Sequence, residues 1–280
     1  MAAVVLGLGS SLLWGLSDFL GGLQSRRHPV LVVLLVSQGV GLTGVLVAAL
    51  ARGQGLPETS AVLAAAGAGV AGLAALGAFY RALSIGTMSV VAPISGTAAA
   101  IPVTVGVLTG ERPGPVQVVG MFLAVAGIVL ASREGPQDSE RAAASREAVG
   151  LALLAALGFG LFFVGMDHAA DRDVLWALVF ARAADIPVLL AFVLVLRPAF
   201  PRGAGALAPM AGIGVLDLGA NALYAQASTT GLLSVVSVLG SLYPAVTVLL
   251  ARVLLGERLR RAQGAGVTLI MLAVVAIAAG

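Results

Sequence analysis

The chain has 280 residues, of which 59% are hydrophobic and 10% are charged, and its mean hydropathy is +1.05. A soluble globular domain carries about 25% charged residues, so this composition excludes an ordinary soluble protein. The net charge is +3 and the sequence has neither lysine nor cysteine, which excludes a Walker nucleotide loop, disulfide bonds and thiolate metal sites.

Long apolar runs dominate the chain, and about 20 apolar residues cross a bilayer core as a helix. A transmembrane barrel would instead show alternating segments of about 10 residues. The runs, separated by Gly, Pro, Arg or acidic residues, therefore predict an all-α membrane protein with ten transmembrane helices. The predicted spans are 2–23, 29–51, 60–84, 88–109, 115–132, 148–167, 173–196, 206–228, 232–254 and 263–280. Because Asp18 interrupts the first run and no arginine precedes Arg26, we interpret that run as a retained span and not as a cleaved signal peptide.

The sequence divides into two similar halves. We place the first five-helix repeat at 1–132, a charged linker at 133–147 and the second repeat at 148–280. The matching stretches, at offsets of 144 to 146 residues, are Tyr80, Ser89-Val-Val and Gly110-Glu-Arg with Tyr224, Ser234-Val-Val and Gly256-Glu-Arg. Since five spans return the chain on the opposite side, the second copy must be inverted. This pattern predicts two inverted repeats around a solute site near the membrane midplane.

The second half also carries sequence features of a known family. They are Tyr224-Ala-Gln-Ala227, Ser234-Val-Val, Tyr243-Pro244, Leu255-Gly-Glu-Arg258 and Gly264-Ala-Gly266. With the span number, the linker and both Gly-Glu-Arg sites, the chain resembles the EamA-type family of the drug/metabolite transporter (DMT) superfamily over nearly its whole length. The resemblance implies a secondary transporter, with export favoured over uptake, in which spans 1, 3, 4, 6, 8 and 9 surround the solute. The first half has Ala98 at the position that aligns with Pro244 of the second half. We therefore do not expect the two halves to contribute equally to the solute site.

Ionisable residues inside spans are the first candidates for function, because each costs about 2.5–3.5 kcal/mol on insertion scales. They are Asp18, Arg81, Arg182, Asp185, Asp217 and Arg252. The eighth span places Asp217, Asn221, Tyr224 and Ser228 on one helical face, at spacings of four, three and four. We interpret this stripe as the wall of a polar cavity, and softer stripes occur in spans 1 and 9.

The charged residues also admit a structural interpretation. Arg182 and Asp185 are three positions apart and can neutralise each other, with Asp217 in the same network. In the functional interpretation, Arg182 or Asp217 faces the solute path and the pairing changes between inward and outward states. Asp18 is the candidate for taking up a proton in exchange for solute. It is similar in role to the first-helix acidic residue of the small multidrug transporters in the same superfamily.

Aromatic residues complete the candidate site. Trp14 and Tyr224 can stack on a flat or cationic solute, and Tyr80 has the alternative role of an interface anchor. Gln38 lies opposite Arg182 when the two halves are aligned. The predicted solute-binding residues are Trp14, Asp18, Gln38, Tyr80, Arg182, Asp217, Asn221 and Tyr224.

The predicted function is transport of a small organic solute across the cell membrane by alternating access. The aspartates favour a cationic or zwitterionic solute and Arg182 favours a carboxylate, so an amino-acid-like molecule satisfies both. The expected partners are this solute, the lipid bilayer and coupling protons, with no nucleic acid. We expect no metal and no cofactor. The alternatives are an intramembrane enzyme, whose G-x-S-x-G and H-E-x-x-H motifs are missing from the sequence, and a non-transporting membrane scaffold.

Two features concern the loops. Ten arginines fall in the odd-numbered loops and three in the even-numbered ones, which by the positive-inside rule puts both termini outside. Relatives in the family usually have both termini in the cytoplasm, so both orientations stay open. Glu111 and Glu257, each followed by arginine, are expected to form salt bridges within their own turns, which contribute little when exposed.

Overall fold

The structure is a computed structural model, and it describes residues 2–53, 55–56, 58–108, 114–131, 139–170, 173–230, 239 and 242–279. No strand occurs among these residues, whose secondary structure is helical with short turns. Several sequence predictions fall outside the described residues: Gly110-Glu-Arg112, Ser234-Val-Val236 and the first part of the linker.

The described helices follow the predicted spans in chain order. They are α1 (Ala2–Ser25), α2 (Val30–Arg52), α3 (Thr59–Ile85), α4 (Met88–Gly96), α5 (Ala100–Leu108), α6 (Pro115–Ala131), α7 (Ser139–Ala170), α8 (Val174–Leu196), α9 (Ala204–Thr230), α10 (Tyr243–Leu254) and α11 (Arg261–Ala279). Within the described residues, α1, α2, α3, α8 and long segments of α7 and α9 are long and apolar enough to cross a membrane. The prediction of an all-helical membrane protein is confirmed.

The fourth predicted span is interrupted. A 3₁₀ turn, Thr97–Ala99, separates α4 from α5. Pro102 has no backbone N–H, so the carbonyl of Ala98 four residues earlier lacks its helical donor. Gly160 of α7 approaches that same carbonyl, because a Cβ at this glycine would lie 2.9 Å from the Ala98 oxygen. A neighbouring helix therefore packs against the point where the span changes its helical geometry.

The second difference concerns the linker. Helix α7 begins at Ser139, inside the predicted linker at 133–147, and continues through the sixth predicted span. The stretch 141–148 is rich in alanine, arginine and glutamate, which are strong helix formers. Helix propensity extends this helix beyond its apolar part.

Each helix pair described next recurs when both helices are replaced by their counterparts in the other half. Helix α1 packs on α9 as α7 packs on α3, and α2 packs on α9 as α8 packs on α3. Helix α1 also packs on α10 as α7 packs on α4. Further pairs join equivalent helices of the two halves: α2 with α8, α4 with α10 and α6 with α11. All of these pairs cross between the halves, so the two halves pack as one bundle.

Glycines permit the closest of these approaches, and they occur at equivalent positions. The contact of Gly69 with Ala181 corresponds to that of Gly214 with Ser37 in the other half. The contact of Gly15 with Tyr243 corresponds in the same way to that of Gly160 with Ala98. In each contact a Cβ on the glycine would collide with the backbone carbonyl of the other residue. Corresponding members are 144 or 145 positions apart, so the repeat seen in sequence is present in backbone packing as well. In this packing Ala98 corresponds to Tyr243, one residue before the Pro244 with which the sequence alignment pairs it. Small residues of this kind let membrane helices approach closely.

Serine hydroxyls add polar contacts between helices. Ser10 of α1 donates to the Ala220 carbonyl of α9 at 2.9 Å, and Ser17 donates to the Ile213 carbonyl at 3.2 Å. Both bonds cross between helices. They hold α1 in a fixed register on α9.

Ion pairs at the ends of the bundle connect loops of the same parity. Arg81, near the end of α3 before the third loop, pairs with Glu147 of α7, after the fifth loop, at 3.5 Å. Arg26 and Glu257 join the first and ninth loops at 3.6 Å. Arg52 and Asp173 join the second and sixth loops at 3.8 Å. We call the end with Arg26 and Glu257 the odd-loop end and the end with Arg52 the even-loop end. The helices thus alternate in direction where these loops connect them.

The contact between α6 and α11 gives a test of glycine packing. A Cβ at Gly266 would lie 2.7 Å from the Gly127 oxygen, whereas one at Gly264 on the same helix meets nothing within 4 Å. We expect Gly266→Ala to destabilise the protein by roughly 1–3 kcal/mol, because the helices must move apart. Gly264→Ala is the matched control and should unfold at or slightly above the wild-type temperature. Thermal unfolding of the purified variants in detergent measures both, and equal melting temperatures would contradict the packing.

Candidate functional site

A cavity lies in the middle of the bundle between α1, α2, α3, α8 and α9. It is lined by Ser17, Asp18, Ser37, Gln38, Leu76, Tyr80, Arg182, Ile213, Gly214 and Asp217. Its volume is about 30 Å³, whereas pockets for organic ligands occupy roughly 300–1,000 Å³. The space suits a water molecule. An organic solute can enter only if the lining side chains or helices move.

An ion pair forms part of the wall of this cavity. Arg182 of α8 donates hydrogen bonds to the Asp217 carboxylate of α9 and to the Gln38 side-chain oxygen of α2. The side chains are 12% and 28% exposed for Arg182 and Asp217, so the pair is largely removed from water. Gly41 provides room for the arginine, because a Cβ there would lie 3.0 Å from a guanidinium nitrogen. The position of Arg182 therefore depends on three helices together.

Gln38 and Arg182 are separated by 144 positions, which is the offset of the repeat. Equivalent residues of the two halves thus meet each other at the centre of the bundle. Asp217 has Gly72 as its counterpart, at an offset of 145. The scaffold repeats, but the central charges of Arg182 and Asp217 have no charged counterparts in the first half.

Two further predicted residues line the cavity. Asp18 of α1 is half-buried, and in the described part of the chain no basic side chain lies within ion-pair distance of it. Tyr80 of α3 is 2% exposed, and its ring packs where a Cβ on Gly21 would collide with it. The alternative role of Tyr80 as an interface anchor is therefore wrong. Its hydroxyl-bearing ring belongs to the protein interior.

Among the described residues, Asp185 forms no direct ion pair with Arg182. It is 6% exposed, and its Oδ1 atom has no hydrogen-bond partner among the described residues. Arg182 pairs with Asp217 instead. The described centre of the bundle thus carries three carboxyl groups, those of Asp18, Asp185 and Asp217, around one guanidinium.

The remaining predicted residues lie beside the cavity. Asn221 donates to the backbone carbonyl of Asp217 at 2.7 Å, one turn away on α9. Trp14 contacts Tyr224 with ring centroids 5.6 Å apart and Tyr243 with centroids 6.4 Å apart. Trp14 is one turn from Asp18 on α1, so this aromatic cluster lies on the even-loop side of the cavity. Two of the other ionisable residues, Arg81 and Arg252, lie near helix ends and are exposed.

Sequence reasoning missed Ser17, Ser37 and Gly41. The serines directly precede Asp18 and Gln38, and Gly41 lies one turn after Gln38. The sequence therefore offered one indication of these residues, namely that each lies next to, or one helical turn from, a predicted site residue. Only packing shows that Gly41 makes room for the guanidinium.

Comparison with known proteins places the chain in a family. A family model described as the EamA-like transporter family matches residues 1–133 and 146–279. The chain belongs to the EamA-like transporter family. Together with its apolar helices, this membership makes it a multi-pass membrane protein, and the resemblance to the EamA-type family is confirmed.

The remaining comparisons concern sequence and fold. No curated protein sequence matches this EamA-family chain significantly. A protein chain in a solved crystal structure matches it with a TM-score of 0.67 and 18% sequence identity, covering 99% of this chain and 96% of that chain. At this identity the match shows that the fold is shared.

The central ion pair of this EamA-family chain is testable by a double-mutant cycle. We expect Arg182→Gln and Asp217→Asn each to lower the melting temperature, because each leaves a buried charge without its partner. The double variant should be more stable than the sum of the two losses predicts, with a coupling of roughly 1–3 kcal/mol. Arg81→Gln with Glu147→Gln is the control cycle, since that pair is about half exposed and should couple by about 1 kcal/mol or less. Additive losses at the central pair would contradict a direct interaction.

Proposed function

We propose that this chain is a secondary transporter that exports a small, amino-acid-like organic solute by alternating access. The observation that carries the proposal is the Arg182–Asp217 ion pair, which lines a cavity enclosed by helices of both halves. Charged groups in the middle of a membrane protein mark solute or ion paths. Membership in a transporter family supports the same function.

The proposed architecture is ten membrane spans in two inverted five-helix repeats, 1–132 and 148–280, joined by the segment 133–147. The helix pairs that recur on exchange of the halves support it. Equivalent glycine contacts in both halves support it as well. In such an architecture the two halves rock around a fixed central site, which opens to each side in turn.

The proposed solute carries an ammonium group and a carboxylate. The ammonium group pairs with Asp217 and the carboxylate pairs with Arg182, so one buried ion pair is exchanged for two. This matters because a separated buried pair leaves two uncompensated charges. Asp18 lines the same cavity and offers a second carboxylate to the ammonium group. The cavity must widen to admit the solute, since its present volume of about 30 Å³ is too small.

The neighbouring side chains extend the proposed site. Gln38 and Tyr80 contribute polar groups to the cavity wall. Trp14 and Tyr224 provide aromatic surface on the even-loop side, where the solute's side chain packs. Asn221 bonds to the carbonyl of Asp217 and orients the turn that carries this carboxylate.

Proton exchange is the proposed source of energy, with Asp18 as the proton site. This carboxylate faces the cavity and lacks a basic partner among the described residues. Proton and solute ammonium then compete for the same group, which couples their movements across the cell membrane. The export direction follows from the family resemblance.

Solute binding is the first test. A ligand that binds only the folded state raises the melting temperature, so the purified protein is heated with panels of amino acids, polyamines, quaternary amines, nucleosides and sugar phosphates. We expect stabilisation by amino acids, by about 3 kcal/mol at a hundredfold excess over the dissociation constant. Amino-acid derivatives in which the amino group or the carboxylate is blocked should not raise the melting temperature.

Variants locate the binding site. Asp217→Asn and Arg182→Ala should abolish the stabilisation, because each removes one partner of the solute. Glu147→Gln is the matched control, a carboxylate-to-amide change at an exposed residue, and should keep it. Stabilisation that survives in both central variants places the solute elsewhere and contradicts the proposed site.

A further inference from the structure

Glu257, in the turn after α10, contacts the other half of the chain. Its carboxylate accepts hydrogen bonds from the backbone N–H groups of Met88 at 3.0 Å and Ser89 at 2.8 Å. The side chain is 12% exposed. The expectation of a salt bridge within its own turn is therefore wrong for Glu257.

The chemistry of this contact is that of a helix cap. Met88 and Ser89 begin α4, and the first N–H groups of a helix have no partner inside it. The residue before them, Thr87, makes no side-chain capping bond. A carboxylate at this position also interacts favourably with the positive end of the helix dipole. A residue of the second half thus caps a helix of the first half.

Arg26 extends the contact to the first loop. Its guanidinium lies 3.6 Å from the Glu257 carboxylate and donates to the carbonyls of Leu83 at 3.3 Å and Gly86 at 3.2 Å. We call this group the Glu257 clamp: Glu257, Arg26, the N–H groups of Met88 and Ser89, and these two carbonyls. It joins the α1–α2, α3–α4 and α10–α11 turns at the odd-loop end.

The clamp lies between the cavity and the odd-loop surface. Arg26 is eight residues beyond Asp18, and Gly86 is six residues beyond Tyr80, which corresponds to about 9–12 Å along the helix axes. Below the clamp the side chains of Leu83 and Met88 are fully buried and pack against Gly22. The clamp and the buried side chains of Leu83 and Met88 together separate the cavity from the odd-loop end.

We propose that Glu257 is the gate residue of the odd-loop end, and that the path opens there when its carboxylate leaves the N-terminus of α4. This inference rests on the proposed function, which makes the cavity part of a transport path. The contact suits a gate because its bonds cross between the halves and lie near the bundle surface. Water can replace each of them on opening.

The other loop ion pairs do not have these properties. Glu147 pairs with Arg81 and both side chains are about half exposed. Asp173 caps its own helix, accepting from Leu175 and Trp176. Among the described ion pairs at the ends of the bundle, the Glu257 pair alone also caps a helix of the other half.

Thiol labelling tests the gate, because the natural chain contains no cysteine and a single one reports without background. Ser37→Cys places a thiol in the cavity wall, where the native side chain bonds to its own helix. The variant is reconstituted in vesicles and labelled with a membrane-impermeant, charged thiol reagent. Arg27→Cys, at an exposed odd-loop residue, identifies the vesicles whose odd-loop end faces the reagent.

We expect Glu257→Gln to increase the labelling rate of Ser37→Cys from the odd-loop side by about tenfold, the effect of losing one charge-assisted hydrogen bond on an equilibrium. Arg26→Gln should give a smaller increase, because Glu257 keeps its bonds to α4. Glu147→Gln is the matched control and should label at the wild-type rate. Thermal unfolding confirms that each variant is folded before its rate is compared.

An unchanged rate in both Glu257→Gln and Arg26→Gln overturns the gate, as does an equal increase in Glu147→Gln. If Glu257→Gln fails to fold, Arg26→Gln decides the question by the same measure. Labelling requires no solute, so its outcome is separate from that of the proposed function. Solute binding at Asp217 combined with unchanged labelling would remove the gate and leave the transporter in place.

Discussion

A guanidinium in the middle of an apolar bundle must have a carboxylate partner, because an unpaired charge there costs several kcal/mol. In this chain the partner lies on a different helix: Arg182 extends from α8 to Asp217 of α9 and is supported by Gln38 of α2. The pair thus fixes the relative position of three helices. Any opening of the bundle at this level must either preserve the pair or replace each partner.

The backbone provides the geometry that the pair requires. Helices α3 and α8, and equivalently α9 and α2, approach until a glycine meets a carbonyl. These contacts lie one helical position or one turn from Gln38, Arg182 and Asp217. Packing of small residues therefore sets the distance across which the long side chain of Arg182 reaches. Polar function and close packing depend on the same narrow layer of the protein.

Sequence reasoning succeeded where physical constraints act locally. Apolar length predicted the helices, and the cost of charge in a membrane singled out Asp18, Arg182 and Asp217, which the structure brings to one cavity. It failed where the outcome depends on distant partners. Spacing placed Asp185 beside Arg182, with Asp217 as a further partner, whereas the structure gives the direct ion pair to Asp217. Likewise, the sequence indicates only partners within its own turn for Glu257, and the fold brings the backbone N–H groups at the start of α4 within hydrogen-bond distance of its carboxylate.

The meeting of Gln38 with Arg182 has a consequence for a duplicated protein. In the proposed inverted-repeat arrangement, equivalent positions near the two-fold pseudo-axis face each other, so a chain made of two identical halves would set arginine against arginine or glutamine against glutamine. The first arrangement repels and the second carries no charge. A single cation on this axis, with a neutral acceptor opposite, is available only to halves that differ in sequence. Divergence between the two copies is thus a physical requirement for a central charge, and one polypeptide is the simplest way to keep the unlike halves in a fixed ratio.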